Sequence, residues 1–400
     1  MSQQQFDGQI PELEAGAYPM RVEELETFYS NADKLREQCP FHRLKRADGS
    51  EHLIGFRFDD AKQILSDYTN FVVSTPDRTI ASDDPILPSA KEYPEHAKYR
   101  AVVQKYFTPA AIKRFEPQIK QFAQEMIADI AAKGQCEFVQ EFAAPYPARI
   151  WFLLAGWPED GLARLVDANN DYWTLPEDDP TGVVHARARE VILDFLRERI
   201  EHSKRHPDDF LTSKLIHSSV DGVPLTDHEV LMYLVGLTFG GLHTTKSMLS
   251  RITRYLAGHP KVRHGIADNT VSSAAILEEF VRAYAPDVFR YPTTDTTVGG
   301  CPVKKGDLVV LSLGAANRDP RVRPDGEQIR FDRKTQSHLG WGQGIHMCLG
   351  MHLARADMRV ALEEWHRQIP DYEISTTAGL NDQIYMMAGP STLALRWKKA

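Results

Sequence analysis

The chain has 400 residues, 42% hydrophobic, 26% charged and 10% aromatic, a balance that excludes a disordered, collagenous or coiled-coil protein. With 47 Lys and Arg against 55 Asp and Glu, its net charge of −8 argues against a nucleic-acid binder relying on a general basic field, leaving only a local basic patch open. Cys39, Cys136, Cys301 and Cys348 are widely spaced without a CxxC pair, so neither a disulfide scaffold nor a zinc ribbon is expected and a reducing cytoplasm fits. The first residues, Met1-Ser-Gln-Gln-Gln-Phe-Asp7, lack the basic and apolar regions of a signal peptide. No linker or repeat divides the sequence, and residues 1–400 read as one domain.

In chain order, apolar residues recur at three-and-four spacing over 22–38, 59–66, 94–107, 110–132, 185–202, 227–257, 272–284 and 349–368, and each stretch is expected to be helical. Strand-like runs are fewer, at 52–58, 307–312 and 392–397. A mainly α protein with a small β region follows.

The longest helix begins at a capping box, Thr226-Asp-His-Glu229, whose hydroxyl and carboxylate can each satisfy an orphan amide of the first turn. From Val230 to Leu242 it is apolar on nearly every face yet shorter than the ~20 residues a bilayer requires, so it is expected to cross the protein interior. Gly240-Gly241 costs this helix roughly 1 kcal/mol per glycine against Ala. Either a tight helix crossing or the close approach of a bulky ligand would offset that cost.

The most informative segment is Leu339-Gly-Trp-Gly-Gln-Gly-Ile-His-Met-Cys348-Leu-Gly-Met-His-Leu-Ala-Arg355. Alternating glycines loosen the backbone before a cysteine that opens a helix. Amide N–H groups and the positive end of the helix dipole there would lower its pKa and suit it to a metal. An inert buried thiol is the ordinary alternative. The spacing of Gly340, Gly342 and Gly344 is not that of a dinucleotide loop. A zinc site drawn from His338, His346, Cys348 and His352 matches no closed-site pattern and would leave the paired glycines unexplained.

Trp341-Gly-Gln-Gly-Ile-His-Met-Cys348-Leu-Gly350 resembles the cysteine-ligand loop of the cytochrome P-450 haem-thiolate monooxygenases, with Trp341 in place of the usual Phe. Glu279-Phe-Val-Arg282 resembles the family's E-x-x-R pair, and Phe331-Asp-Arg333 a shortened form of the segment supplying its third partner. The resemblance implies that Glu279, Arg282 and Arg333 brace the cysteine loop. It makes Cys348 the iron ligand, with Trp341, Gly342 and Gly350 around the cofactor, and it assigns His96, Arg100, Arg290 and His338 to the haem propionates. Gly240-Gly241-Leu242-His243-Thr244-Thr245 resembles the oxygen-binding turn, so that Thr244 matches the threonine of oxygen activation. His243 stands where the family has an acid; it either relays protons or turns away and packs. A Thr244 hydroxyl bonded to the preceding turn is the plain alternative.

The resemblance further implies the triangular-prism fold, with haem b between the long helix and the helix after Cys348. It implies a cytoplasmic, soluble bacterial-type, stand-alone catalytic domain acting as a monomer: O2 is activated and a small to medium apolar substrate hydroxylated. Electrons would come ultimately from NAD(P)H through a ferredoxin reductase and a ferredoxin docking near Lys98, Lys105, Arg333, Lys334 and Arg359, without nucleic acid or membrane. Substrate contacts are expected from the 71–87 loop and from Phe239, Gly240, Val288, Phe289, Met386 and Met387. A peroxide-using or coupling and isomerising enzyme, motivated by His243, and a non-catalytic haem sensor are the alternatives.

Overall fold

The computed structural model describes residues 10–13, 21–22, 25–45, 51–74, 85–175, 178–334, 337–376, 382–383 and 389–399. The expected helices are present at Leu25–Gln38, Phe58–Ser66, Glu95–Gln104, Val183–Arg205, Asp227–Ala257, Ser273–Ala283 and Met351–Gln368. The 110–132 stretch is instead two helices, Pro109–Lys113 and Glu116–Ala131. Pro117 has no amide hydrogen for a preceding turn and is tolerated only because it lies in the first turn of a new helix.

Pro145–Ala155 and Leu162–Tyr172 are helices that amphipathic periodicity misses. The first buries Tyr146, Ile150, Trp151, Phe152 and Leu154 on several faces, so it carries no polar stripe. The Thr226 capping box is formed: the Glu229 amide donates to Thr226 Oγ1 at 3.2 Å, and the Thr226 amide to Glu229 Oε2 at 2.8 Å. The helix it starts runs through the core, burying Val230 to Val235, Leu242, Met248, Leu249 and Ile252.

Glu51–Gly55 and Leu308–Ser312 pair in parallel in a five-stranded sheet. Phe41–Lys45 and Asp287–Pro292, which lack clean alternation, complete most of that sheet. Asp287–Pro292 pairs antiparallel with Leu308–Ser312, setting Arg290 opposite Val309. Ala394–Arg396 joins a separate three-stranded sheet with Gln135–Glu137 and Glu373–Ile374. Among the described residues no helix is long and apolar enough to cross a membrane.

Candidate active site

The cysteine loop is shaped by its glycines. Gly342 and Gly344 have φ of +76° and +71°, the left-handed region glycine enters without a Cβ penalty. Gly340 lies so close to the Val281 carbonyl that a side chain there would clash with it. Around that turn the Cys348 amide donates to the Trp341 carbonyl at 2.7 Å.

Two acids on the Ser273–Ala283 helix hold the loop. Glu279 and Arg282, 4% and 2% exposed, form a bidentate pair with both contacts at 2.8 Å. Arg333 adds a third contact, from Nε to Glu279 at 3.0 Å, and donates from Nη1 to Asp325 at 2.7 Å. The shortened segment therefore still reaches the pair. Arg282 also donates to the Gly326 carbonyl at 2.8 Å, so the guanidinium is saturated rather than merely paired.

Glu278, which sequence reasoning passed over, accepts from Arg355 Nε at 2.6 Å and Trp341 Nε1 at 3.2 Å, and meets His338 Nε2 at 3.3 Å. These bonds overcome burial and pull its carboxyl down to about 2. Asn317 ties the same parts together: its Nδ2 donates to the Arg282 carbonyl at 2.9 Å and its Oδ1 accepts the Leu339 amide at 2.8 Å. Glu278 is ordinary in sequence and becomes visible only through partners distant along the chain.

The helix after the cysteine begins at Met351 with Gly350 as its cap, two residues later than the expected 349. The Gly350 and Met351 amides bond the Cys348 sulfur. In one respect the expectation is reversed: the Cys348 thiol is pushed up, because burial outweighs those amides and the charges of Arg100 and Arg355. The side chain is nonetheless accessible, and a cation placed on the sulfur would offset the desolvation.

Beside this thiol the structure brings His96, Arg100 and Arg290 together with His346, not with His338. The His96 and His346 rings lie 4.3 Å apart. Burial, then the charges of Arg290, His96 and Arg100, push His346 down to about 3. Burial and Arg100 take His96 to about 4, and its buried Nε2 has no hydrogen-bond partner. Arg290 is pushed down to about 10 by burial, which Glu92 partly opposes. Glu92 already accepts the Val73 and Ser74 amides at 2.7 and 3.0 Å. Arg100 donates to the Met347 carbonyl at 2.6 Å. His338 is held elsewhere, by Glu278 and by the Gly340 amide donating to its Nδ1 at 3.1 Å. The zinc alternative fails here, since no three His, Cys, Asp or Glu side chains converge as a metal-ligand set among the described residues.

On the long helix, a Cβ at Gly240 or Gly241 would meet nothing within 4 Å. A helix crossing therefore does not explain these glycines. The tight glycine is Gly236, whose Cβ would lie 2.6 Å from Ile86 and 2.7 Å from the Leu87 carbonyl. The Thr244 hydroxyl donates to the Gly240 carbonyl at 2.7 Å. His243 turns from the groove and stacks on Trp173, centroids 4.7 Å apart and planes at 23°.

Of the expected substrate contacts, Phe239 stacks on Tyr172 at 4.2 Å. Val288 and Phe289 are half-buried on the strand that carries Arg290, and Phe71 is in the core. Met386, Met387 and residues 75–84 lie outside the described residues. Of the expected docking charges, Lys98 is engaged by Glu95 and Asp221 at 3.2 and 2.6 Å and Arg359 by Glu116 and Glu363 at 3.0 and 3.1 Å. Lys105 and Lys334 are exposed.

The donor set fits haem. It offers an accessible thiol with two amides on it, two arginines beside an orphaned imidazole nitrogen, and two helix glycines with open space beside them. The family model for cytochrome P450 matches residues 274–365, the stretch holding Glu279, Arg282, Arg333 and Cys348. The chain is 33% identical to the erythromycin C-12 hydroxylase of Saccharopolyspora erythraea, over 77% of this chain and 80% of that one. It is 27% identical to the mycinamicin IV hydroxylase/epoxidase of Micromonospora griseorubida, over 96% and 99%. The solved polyketide-biosynthesis cytochrome P450 PksS of Bacillus subtilis superposes with a TM-score of 0.83 at 26% identity, covering 94% of this chain and 97% of that one. These define a haem monooxygenase of the P450 fold. The chain belongs to the cytochrome P450 family.

Proposed function

We propose that this protein hydroxylates a small to medium apolar substrate with haem b held by Cys348, drawing electrons from NAD(P)H through a separate reductase and ferredoxin. The accessible Cys348 sulfur, with the Gly350 and Met351 amides on it and the His96, Arg100, Arg290 and His346 cluster beside it, carries this reading. Bound haem supplies the reductive activation of dioxygen, which thiolate donation assists.

The chain's residues do the rest. The two amides, Arg100 and Arg355 stabilise negative charge on the sulfur. Arg100, Arg290, His96 and His346 bind the cofactor's carboxylates, with His346 replacing His338 in that role; a carboxylate accepting from His96 Nε2 satisfies its orphaned nitrogen. Gly240 and Gly241 let the cofactor and a small ligand approach the helix. Thr244 Oγ1, released from the Gly240 carbonyl, holds and passes a proton in that groove. Phe239, Val288 and Phe289 present apolar surface that orients substrate and excludes water.

No disulfide joins the four cysteines, which supports a cytoplasmic setting, and exposed large apolar side chains such as Tyr93, Val183 and Val223 are scattered, which supports a monomer. The packing of His243 on Trp173 favours one second reading, turnover with peroxide, since a histidine, not an acid, precedes Thr244 and it is engaged by that ring. The test is the reduced-CO spectrum followed by a screen of apolar compounds, together with erythromycin and mycinamicin IV, for displacement of the ferric water ligand. Substrates so found are then supplied with either NADPH and a ferredoxin couple or hydrogen peroxide. A CO band lacking the thiolate red shift overturns the ligand assignment, and turnover with peroxide alone selects the second reading.

A further inference from the structure

Two of the four cysteines meet in the interior. Cys39 follows the Leu25–Gln38 helix and Cys301 opens the Cys301–Val303 strand. Their sulfurs lie 3.8 Å apart although 262 positions separate them in sequence, and the residues are 3% and 0% exposed. Both backbones are pinned. The Cys39 amide donates to the Leu35 carbonyl at 3.1 Å, and Cys301 is paired with Val298 across a hairpin. That hairpin, Thr296–Val298 with Cys301–Val303, is a two-stranded sheet of its own, turned by Gly299 and Gly300 at φ of +58° and +84°. A lone hairpin is only marginally stable. Val298, Cys301 and Val303 are held instead by side-chain packing, in a satellite core with Cys39, Phe41 and Ala61.

We propose that Cys39 and Cys301 are an oxidation site, forming a reversible disulfide with hydrogen peroxide as the oxidant and so tying the end of the Leu25–Gln38 helix to the 296–303 hairpin. A bond of ~2.05 Å requires the sulfurs to close by under about 2 Å, a displacement that side-chain rotation supplies while the backbones stay in place. Burial selects the oxidant. Hydrogen peroxide is close to water in size, whereas a bulky disulfide such as oxidised glutathione does not reach a residue with no exposed surface. Cys301 reacts first, because the Phe41 amide bonds its sulfur and favours the thiolate. That thiolate attacks one peroxide oxygen, the O–O bond breaks, hydroxide leaves, and a sulfenic acid remains. The Cys39 sulfur then attacks the sulfenic sulfur, so that the S–S bond forms and the S–O bond breaks. The two thiol protons and the peroxide leave as two waters, each sulfur having lost one electron. Contact with Cys39, then burial, otherwise hold the Cys301 thiol well up, so the pair rests reduced, as the free thiols show. Cys136, on the Gln135–Glu137 strand, is pushed up to about 12 by burial and stays a thiol.

The test treats the purified, haem-loaded protein with a few equivalents of hydrogen peroxide and then with catalase. Thiols titrated after denaturation should fall from four to two and return to four with dithiothreitol. Peptide mapping without reduction should find the Cys39 and Cys301 peptides joined and two hydrogens lighter. The oxidised protein should melt several degrees above the reduced one, since a cross-link restricts the unfolded chain. Cys301→Ala should keep its three thiols and show no such rise. The measurements on the parent need no variant, so poor folding of Cys301→Ala leaves the proposal refutable. Sulfinic acid on either cysteine without linkage, linkage to Cys136 or Cys348 instead, or four intact thiols beside oxidised methionines overturns the oxidation site. An unraised melting temperature in the linked protein overturns the stabilising tie.

Discussion

The rings of His96 and His346 face each other with centroids 4.3 Å apart, one from the Glu95–Gln104 helix and one from the turn before Cys348. With the Arg100 bond to the Met347 carbonyl, this contact joins the cysteine loop to the Arg100 and Arg290 cluster. Replacing His346 by Ala should weaken haem retention several-fold against a competing apo-protein acceptor, whereas His338→Ala should act mainly through the Glu278 clamp and lower thermal stability. Haem transfer rates and melting curves of the two variants separate these effects.

Cys348 is the accessible thiol that receives the Gly350 and Met351 amides. Cys348→His should abolish the red-shifted reduced-CO Soret band while circular dichroism remains that of the parent. A retained band would assign the ligand elsewhere.

The Glu279 carboxylate neutralises two guanidinium groups in the interior. Removing one member of a buried charge network costs about 3–5 kcal/mol because it strands the others. Glu279→Ala should therefore accumulate mostly haem-free protein, and Glu279→Gln, which leaves Arg282 without a countercharge and Arg333 with Asp325 alone, should fare little better. Haem content per mole of purified chain measures both.

Thr244 donates to the Gly240 carbonyl at 2.7 Å and must leave it to serve the groove. Thr244→Ala should bind substrate with the parent's spectral dissociation constant yet divert most reducing equivalents to hydrogen peroxide, while Thr244→Ser should recover much of the coupling. Peroxide formed per NADPH consumed is the measurement.

His366 lies fully buried on the Met351–Gln368 helix, bonded to the Leu362 carbonyl at 2.7 Å and meeting the Tyr372 hydroxyl at 3.1 Å. Burial pushes it down to about 4. The folded protein keeps it neutral while the unfolded chain takes up a proton below its ordinary value, so its stabilising contribution is complete above pH 6.5 and is lost as pH falls toward 4. At about 1.4 kcal/mol per unit, the loss by pH 4 is of order 2–3 kcal/mol. Urea unfolding between pH 7.5 and 4.5 should fall less steeply with acid in His366→Gln than in the parent.

Docking of an acidic ferredoxin near the cysteine should depend on Lys105 more than on Lys98, whose ammonium is already engaged by Glu95 and Asp221. Lys105→Glu should slow first electron transfer and flatten its salt dependence, since surface attraction is screened over ~10 Å at 0.1 M ionic strength. Equal effects of the two charge reversals would contradict this.

Local chemistry made much of this protein legible without a structure. The Thr226 capping box, the positive φ of Gly342 and Gly344 and the amides around Cys348 depend on neighbours within a few residues, so the order of residues is enough to specify them. Long-range packing decided the rest. His338 and His346 are indistinguishable as isolated histidines, and only the approach of Glu278 to one and His96 to the other assigns their work. The Trp173 ring, placed by a helix that periodicity misses, turns His243 from the groove. Burial, which no single residue encodes, reverses the direction in which the Cys348 thiol shifts, because desolvation is a property of the whole enclosing fold.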